Sequence, residues 1–230
     1  MKQAIFLDFD GVIVDSIKEC YLVSKDTYFG FINNYKSNKE YEKLFHKYRY
    51  LVGPVPQYMV LHRVLDDFCN NKIMEIQIKK HFKKLEKDLS NSIKNHYEYI
   101  FFKTRDFYKK DLKKWVELHS LTMFGKTLQN KVLGTNYNIL TTKDKKSVEL
   151  LCDFYNINIS NIFSNKEYNL NGSKGKIISD FIDRTQYESA IFIDDSVHHL
   201  NTVKDKRVKL YFANWGYDKS PNKYEVYDYI

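Results

Sequence analysis

Apolar residues recur along this chain in two rhythms. The first is an uninterrupted run, Ala4-Ile5-Phe6-Leu7, which rises from a polar N-terminus and stops at Asp8. Such a run predicts a short strand buried on both faces of a parallel sheet. From Ile17 to about Trp115 the rhythm becomes helical. Ile17, Tyr21, Val23, Ser24, Tyr28 and Phe31 recur at roughly helical spacing, and that helix is expected to close near Asn33-Asn34. Tyr41, Leu44, Phe45 and Tyr48 follow at i, i+3, i+4 and i+7 in a segment from Glu40 to Leu51. Gly53-Pro54-Val55-Pro56 breaks the pattern, and three more helices are predicted over Gln57–Cys69, Ile73–Leu89 and Ile93–Tyr108. The run Lys79-Lys80-His81-Phe82-Lys83-Lys84 keeps its apolar spacing, so it reads as the solvated face of a helix, not a nucleic-acid patch.

A further helix is predicted from Asp111 to about Leu133, after which strands and helices alternate. Tyr137–Leu140 reads as a strand ending in Thr141-Thr142-Lys143, and Lys145–Tyr155 as a helix. Ile157–Phe163 contains a short strand, and Gly172-Ser173-Lys174-Gly175-Lys176 opens an amphipathic helix running to Phe181-Ile182. Ala190–Ile193 is a strand followed by Asp194-Asp195, and Val208–Phe212 is another. Strand alternating with helix implies a Rossmann-like parallel sheet wrapped by helices. The expected organisation is an α/β core formed by residues 1–15 and 116–230, interrupted by a helical insertion over residues 16–115.

Charge supports that division. Residues 16–115 hold 21 Lys/Arg against 12 Asp/Glu, while the remainder holds 16 against 17, so the whole basic excess lies in the insertion. Hydrophobic content of 43% with 29% charged residues is that of a globular protein, and only three prolines and eight glycines argue against long linkers. No apolar run approaches the ~20 residues of a membrane span. Met1-Lys2-Gln3 leads straight into the first strand and leaves no room for a signal peptide. Cys20, Cys69 and Cys152 are far apart and lack metal-site spacing. Together these features lead us to expect reduced thiols and a cytoplasmic protein without a membrane partner.

The chemistry gathers at strand ends. Asp8 and Asp10 lie two apart and face the same way if the chain is still extended there; Gly11 then frees the backbone to leave the sheet. Asp8/Asp10, Thr141/Thr142 and Asp194/Asp195 each follow a predicted strand, and open α/β sheets build their sites at such ends. Four carboxylates in one crevice repel unless a hard divalent cation such as Mg²⁺ joins them. With the cation present, Asp8 could act as a nucleophile toward phosphorus and Asp10 as acid and base. A hydroxyl, backbone N–H groups and a lysine at a helix start would hold the phosphate.

The stretch hhhhDxDGVxxDS at residues 4–16 closely resembles the first signature of the haloacid dehalogenase superfamily of phosphatases and phosphotransferases. The resemblance extends to all four of that family's ordered motifs. Asp8 matches its nucleophile and Asp10 its acid/base; Thr141 matches its phosphate-binding hydroxyl, with Thr142 as a rival. Lys174 matches its lysine, with Lys176 as a rival. Asp194 and Asp195 match its acidic metal anchor, Asp195 being taken as the direct ligand and Asp194 as assisting. The metal set implied is therefore Asp8, Asp10, Asp194 and Asp195, holding Mg²⁺. The insertion falls where the family places a helical cap of the C1 type. In the family's Gly-Asp-x-x-x-Asp version of the last motif, His199 would stand where the final acid does, while the pair His198-His199 reads as a helix start and not as a metal pair. Asp15, Ser16 and Trp215 read as structural. The resemblance implies a Mg²⁺-dependent phosphatase acting through an aspartyl-phosphate on a small phosphorylated metabolite, a sugar phosphate or nucleotide. A sugar-phosphate mutase and a non-enzymatic binding module stay open as alternatives.

Overall fold

The computed structural model describes residues 2–30, 39–131 and 136–228. The chain divides into two compact units, Met1–Asp15 with Ser120–Ile230, and Ser16–His119. The first unit begins with strand β1 (Gln3–Leu7) and the short strand β2 (Val14–Asp15). The second unit holds helices α1 (Ile17–Phe29), α2 (Lys39–Tyr48), α3 (Pro56–Cys69), α4 (Ile78–Asp88), α5 (Asn91–Tyr108) and α6 (Leu112–Val116). The first unit then resumes with β3 (Ser120–Leu121), α7 (Met123–Leu128), β4 (Tyr137–Leu140), α8 (Lys145–Tyr155), β5 (Asn161–Phe163) and α9 (Asn165–Asn171). It ends with α10 (Lys174–Arg184), β6 (Ser189–Asp194), α11 (Val197–Thr202), β7 (Val208–Phe212) and β8 (Glu225–Val226).

The first unit is an α/β fold around a parallel sheet of order β5-β4-β1-β6-β7-β8. β1 is central: Leu7 lies beside Ile139 of β4 and Ile193 of β6. That register brings the ends of β1, β4 and β6 to one level. Phe6, Leu140, Ile178, Phe192 and Leu200 belong to the buried cluster of this unit. Burying such side chains is worth roughly 1.5–3 kcal/mol each, which fixes the strands in register and thereby the residues that follow them.

The second unit has its own core. Val23, Phe45, Leu61, Val64, Leu65, Ile78 and Phe101 are fully buried among α1 to α5. Within it, Arg105 grips Glu19 through two bonds of 2.7 and 3.1 Å, with both side chains buried.

Several elements differ from the sequence expectation. The single helix expected over Asp111–Leu133 is broken into α6, β3 and α7, and its last two residues lie outside those described. Tertiary pairing wins here: β3 runs antiparallel to β2, with Val14 opposite Leu121 and Asp15 opposite Ser120. Thr122 then restarts the helix, its hydroxyl accepting from Gly125 N and donating to Val12 O. The expected helix end at Asn33-Asn34 also lies outside the described residues. α9 and the short strands β2, β3 and β8 had no counterpart in the sequence reading. No helix among the described residues is long and apolar enough to cross a membrane.

Candidate active site

The chain leaves β1 through a tight loop. Ile13 N and Val14 N both donate to Phe9 O, and Gly11 N donates to Val14 O. Gly11 has φ 88, in the left-handed region that suits glycine, and an added Cβ there would strike the Asp195 carboxylate. Gly216 approaches Asp195 from another side as closely. Asp8 N donates to Ile193 O, so the sheet bonding continues one residue past β1 and sets Asp8 against β6.

Lys174 arrives by a local stop and start. α9 is closed by Gly172 at φ 78, and Ser173 caps α10 by accepting from Lys176 N. Lys174 is therefore the first residue of α10. Its ammonium lies 2.8 Å from Asp8 and 2.7 Å from Asp194, and all three side chains are buried. Lys176, the rival, is exposed.

Two carboxylates share this one lysine, and their titration splits. Burial drives the Asp8 carboxyl up to about 6; the Asp194 charge adds to the rise, while Lys174 and His199 restrain it. Burial also pushes Asp194 upward, but Lys174 and His199 outweigh it and hold Asp194 below the usual carboxylate range. Burial would lower Lys174, yet Asp194 and Asp8 keep its ammonium well above the ordinary lysine value. Asp194 is thus the firmly ionised partner, and Asp8 the group whose charge is least satisfied.

His199 completes the cluster. α11 starts here, with Ser196 accepting from His199 N, and the ring is buried with Nδ1 3.3 Å from Asp194 Oδ2. Neither ring nitrogen makes an aligned hydrogen bond. Burial and the Lys174 charge lower its pKa, so the ring is neutral. Asp8, Asp194 and His199 present ligand atoms within 4.8 Å of one another, a possible metal-binding group.

The remaining expected residues lie at the same strand ends but have other partners. Asp10 is held by Lys143, whose ammonium lies 3.2 and 3.4 Å from the two carboxylate oxygens. Thr141 is buried, and its hydroxyl accepts from Lys143 N at 3.1 Å; Thr142 is half-buried. Asp195 is buried and accepts from Tyr217 N, while the Tyr217 hydroxyl donates to Asp15. Asp194, not Asp195, therefore shares the cluster with Asp8. Trp215 donates to Val12 O at 3.1 Å and packs on Phe124.

Two residues escaped the sequence reading. His199 had a signal, since it stands where an acid was expected. Lys143 had none beyond following Thr141-Thr142.

Asp8 and Asp194 share the Lys174 ammonium, and Asp10 faces that of Lys143. Two carboxylates on one ammonium leave a surplus of negative charge, which suits a divalent cation.

No protein-family model matches the chain, and no curated protein matches it. Solved structures do resemble it. A predicted phosphoglycolate phosphatase from Haemophilus somnus is similar at 14% identity and TM-score 0.59, covering 94% of this chain and 87% of that one. A haloacid dehalogenase-like family hydrolase from Streptococcus pneumoniae is similar at 16% identity and TM-score 0.53, covering 94% and 86%. A predicted phosphatase from Clostridium acetobutylicum is similar at 13% identity and TM-score 0.52, covering 94% and 87%. The chain has the fold of the haloacid dehalogenase-like hydrolases.

Proposed function

We propose that the protein is a phosphatase, a divalent-metal-dependent phosphomonoesterase acting through an aspartyl-phosphate on Asp8. The observation that supports this most is Asp8 itself. It is a buried carboxylate at the end of the central strand, raised by burial and then by Asp194, with which it shares the Lys174 ammonium. A carboxylate so poorly neutralised is a competent nucleophile once a substrate displaces water from it.

In this reading an Asp8 oxygen attacks phosphorus and the ester oxygen leaves with a proton from Asp10. Asp10 then takes a proton from water, which attacks the phosphorus, releases inorganic phosphate and restores Asp8. Thr141, Thr142 and the Lys174 ammonium would hold the phosphoryl oxygens. Asp8, Asp10, Asp194 and Asp195 would hold the cation, with His199 beside them. Mg²⁺, when bound, neutralises charge developing on the phosphoryl group. The charge balance and the hard oxygen donors fit it.

The helical unit, Ser16–His119, serves in this proposal as the cap that selects the leaving group. Its basic excess suits a small dianionic metabolite, a sugar phosphate or nucleotide, by raising the encounter rate.

The test is phosphate release from a panel of sugar phosphates, nucleotides, phosphoglycolate and an aryl phosphate, with Mg²⁺ and with chelator. Turnover is expected only with metal, and Asp8→Asn should lower it by at least about a thousandfold. Full turnover by Asp8→Asn would sink the nucleophile assignment.

A further inference from the structure

Lys143 is the buried cation of this unit that the reaction above does not use. Its side chain is 1% exposed, and it sits on a loop in the polar run Thr141-Thr142-Lys143-Asp144. Its backbone is fixed on both sides: the amide donates to the Thr141 hydroxyl at 3.1 Å, and the carbonyl accepts from Asn165 N at 3.1 Å. Asp144 next in sequence caps α8 by accepting from Ser147 N at 2.9 Å. A lysine held this way has surrendered most of its rotamer freedom, and its ammonium has been taken out of water. Such burial persists where a carboxylate answers it, and the carboxylate here is Asp10.

We propose that Lys143 is a positioning residue for Asp10, holding its carboxylate for the step in which it accepts a proton from water. The inference rests on the phosphatase reading above. Three features support it. The ammonium reaches both carboxylate oxygens, at 3.2 and 3.4 Å, which holds the head of the group toward Lys143. Asp10 belongs to the loop turned by Gly11, its backbone held there by a bridge to Val14, so the Lys143 contact acts on a side chain whose base is already fixed. The hydrolytic step is the one in which Asp10 must meet a proton from a small, mobile water, so the direction of its carboxylate matters most there. A base displaced by about 1 Å from its proton can lose on the order of a hundredfold in rate.

The bonds of that step balance. Water gives its proton to Asp10, its oxygen bonds to phosphorus, and the phosphorus–oxygen bond to Asp8 breaks with its electron pair returning to the Asp8 carboxylate. Lys143 exchanges nothing. It differs from Lys174 in its partner, since Lys174 lies against the nucleophile.

The test is a double-mutant cycle on the full chain with Mg²⁺, using Lys143→Met, Asp10→Asn and the pair. 4-Nitrophenyl phosphate is the substrate, because its leaving group needs no proton and the first step then bypasses Asp10. Lys143→Met is expected to release one equivalent of 4-nitrophenol per enzyme in a burst, then turn over about ten- to a hundredfold more slowly than the unmodified chain. KM should change little, and Lys143→Arg should recover part of the loss. In the Asp10→Asn background, Lys143→Met should cost less than about twofold, because the group it positions is already gone. If Lys143→Met does not fold, Lys143→Gln carries the same cycle.

Multiplicative losses in the double variant would overturn the positioning role and leave the phosphatase reading standing. So would a rise in KM alone, which would make Lys143 a substrate-binding cation. If the unmodified chain hydrolyses no phosphate ester, the phosphatase reading falls and the positioning role falls with it.

Discussion

Asp8 and Asp194 meet across one ammonium, 2.8 and 2.7 Å from Lys174, and that arrangement has a measurable thermodynamic consequence. A carboxyl raised from 3.8 to about 6 binds its proton more firmly in the folded chain than in the unfolded one. Its ionisation therefore opposes folding, increasingly from about pH 4 to 6 and then constantly above, by ~1–3 kcal/mol at pH 7. Asp8→Asn should stabilise the metal-free chain by that order at pH 7, and the gain should shrink as the pH falls toward 4. Lys174→Met should do the reverse and cost about 3–5 kcal/mol, since it strands two buried charges. Urea unfolding with chelator present measures both, and an Asp8→Asn chain weaker than the unmodified one would contradict the charge argument. At this scale the sequence was legible where chemistry interrupted an apolar run. Asp8 ends four apolar residues, and Lys174 follows Gly-Ser at a helix start. Lys143 was not legible, because in Thr-Thr-Lys-Asp-Lys-Lys it looks like any surface lysine. Its burial depends on Asp10, 133 positions away in the chain. His199 lay in between: its position stood out, but its burial beside Asp194 comes from packing.

Among elements, α3 is fastened to its neighbours by a histidine. Ser24 on α1 donates to Cys20 O, so the His62 Nε2 donates to Ser24 Oγ at 2.8 Å and Nδ1 is left to accept from Tyr41 of α2 at 3.0 Å. The Phe45 ring stacks 5.2 Å away. Burial, aided by Lys25, lowers the His62 pKa to about 3, so the neutral ring is the form that fits. In the unfolded chain His62 returns to about 6.5 and takes up a proton as the solution is acidified. The stability it allows is complete above pH 6.5 and is lost progressively as the pH falls toward 3. At pH 5 the loss attributable to this residue is on the order of 2 kcal/mol. Comparing urea unfolding at pH 7 and pH 5 for the unmodified chain and His62→Gln checks this, and an equal pH effect in both would refute it. The pattern of apolar positions foresaw α3 and its boundaries closely, because a helix that packs on one face declares its period. It foresaw α9 not at all, since Asn-Lys-Glu-Tyr-Asn-Leu-Asn has no apolar face and is held by its Ser164–Glu167 capping box. The broken helix around Ser120-Leu121 failed for another reason. Two residues are too few to show alternation, and only their pairing with Val14-Asp15 makes them a strand.

For the molecule as a whole, the two units place independent probes in one chain. The sequence contains two tryptophans: Trp115 belongs to the helical unit and Trp215 to the α/β unit. Each unit also holds one of these perturbations, the proton-sensitive His62 in the helical unit and the aspartate cluster in the α/β unit. A cation that binds the folded α/β unit and not the unfolded chain stabilises it by RT ln(1 + [L]/Kd), about 2.7 kcal/mol at a hundredfold excess over Kd. Thermal unfolding of Trp115→Phe, followed through Trp215, should therefore shift upward by several degrees when Mg²⁺ is added. Unfolding of Trp215→Phe, followed through Trp115, should stay within about a degree under the same addition. Lowering the pH from 7 to 5 should act the other way, depressing the Trp115 transition more than the Trp215 transition. Each comparison is made within one variant, so any stability lost with the indole cancels. Separate cores predict separate responses, because each unit buries its own apolar side chains around its own polar cluster. Equal shifts at both tryptophans would instead make the chain one cooperative unit, in which metal binding at Asp8 and Asp194 stabilises the α3 network as well.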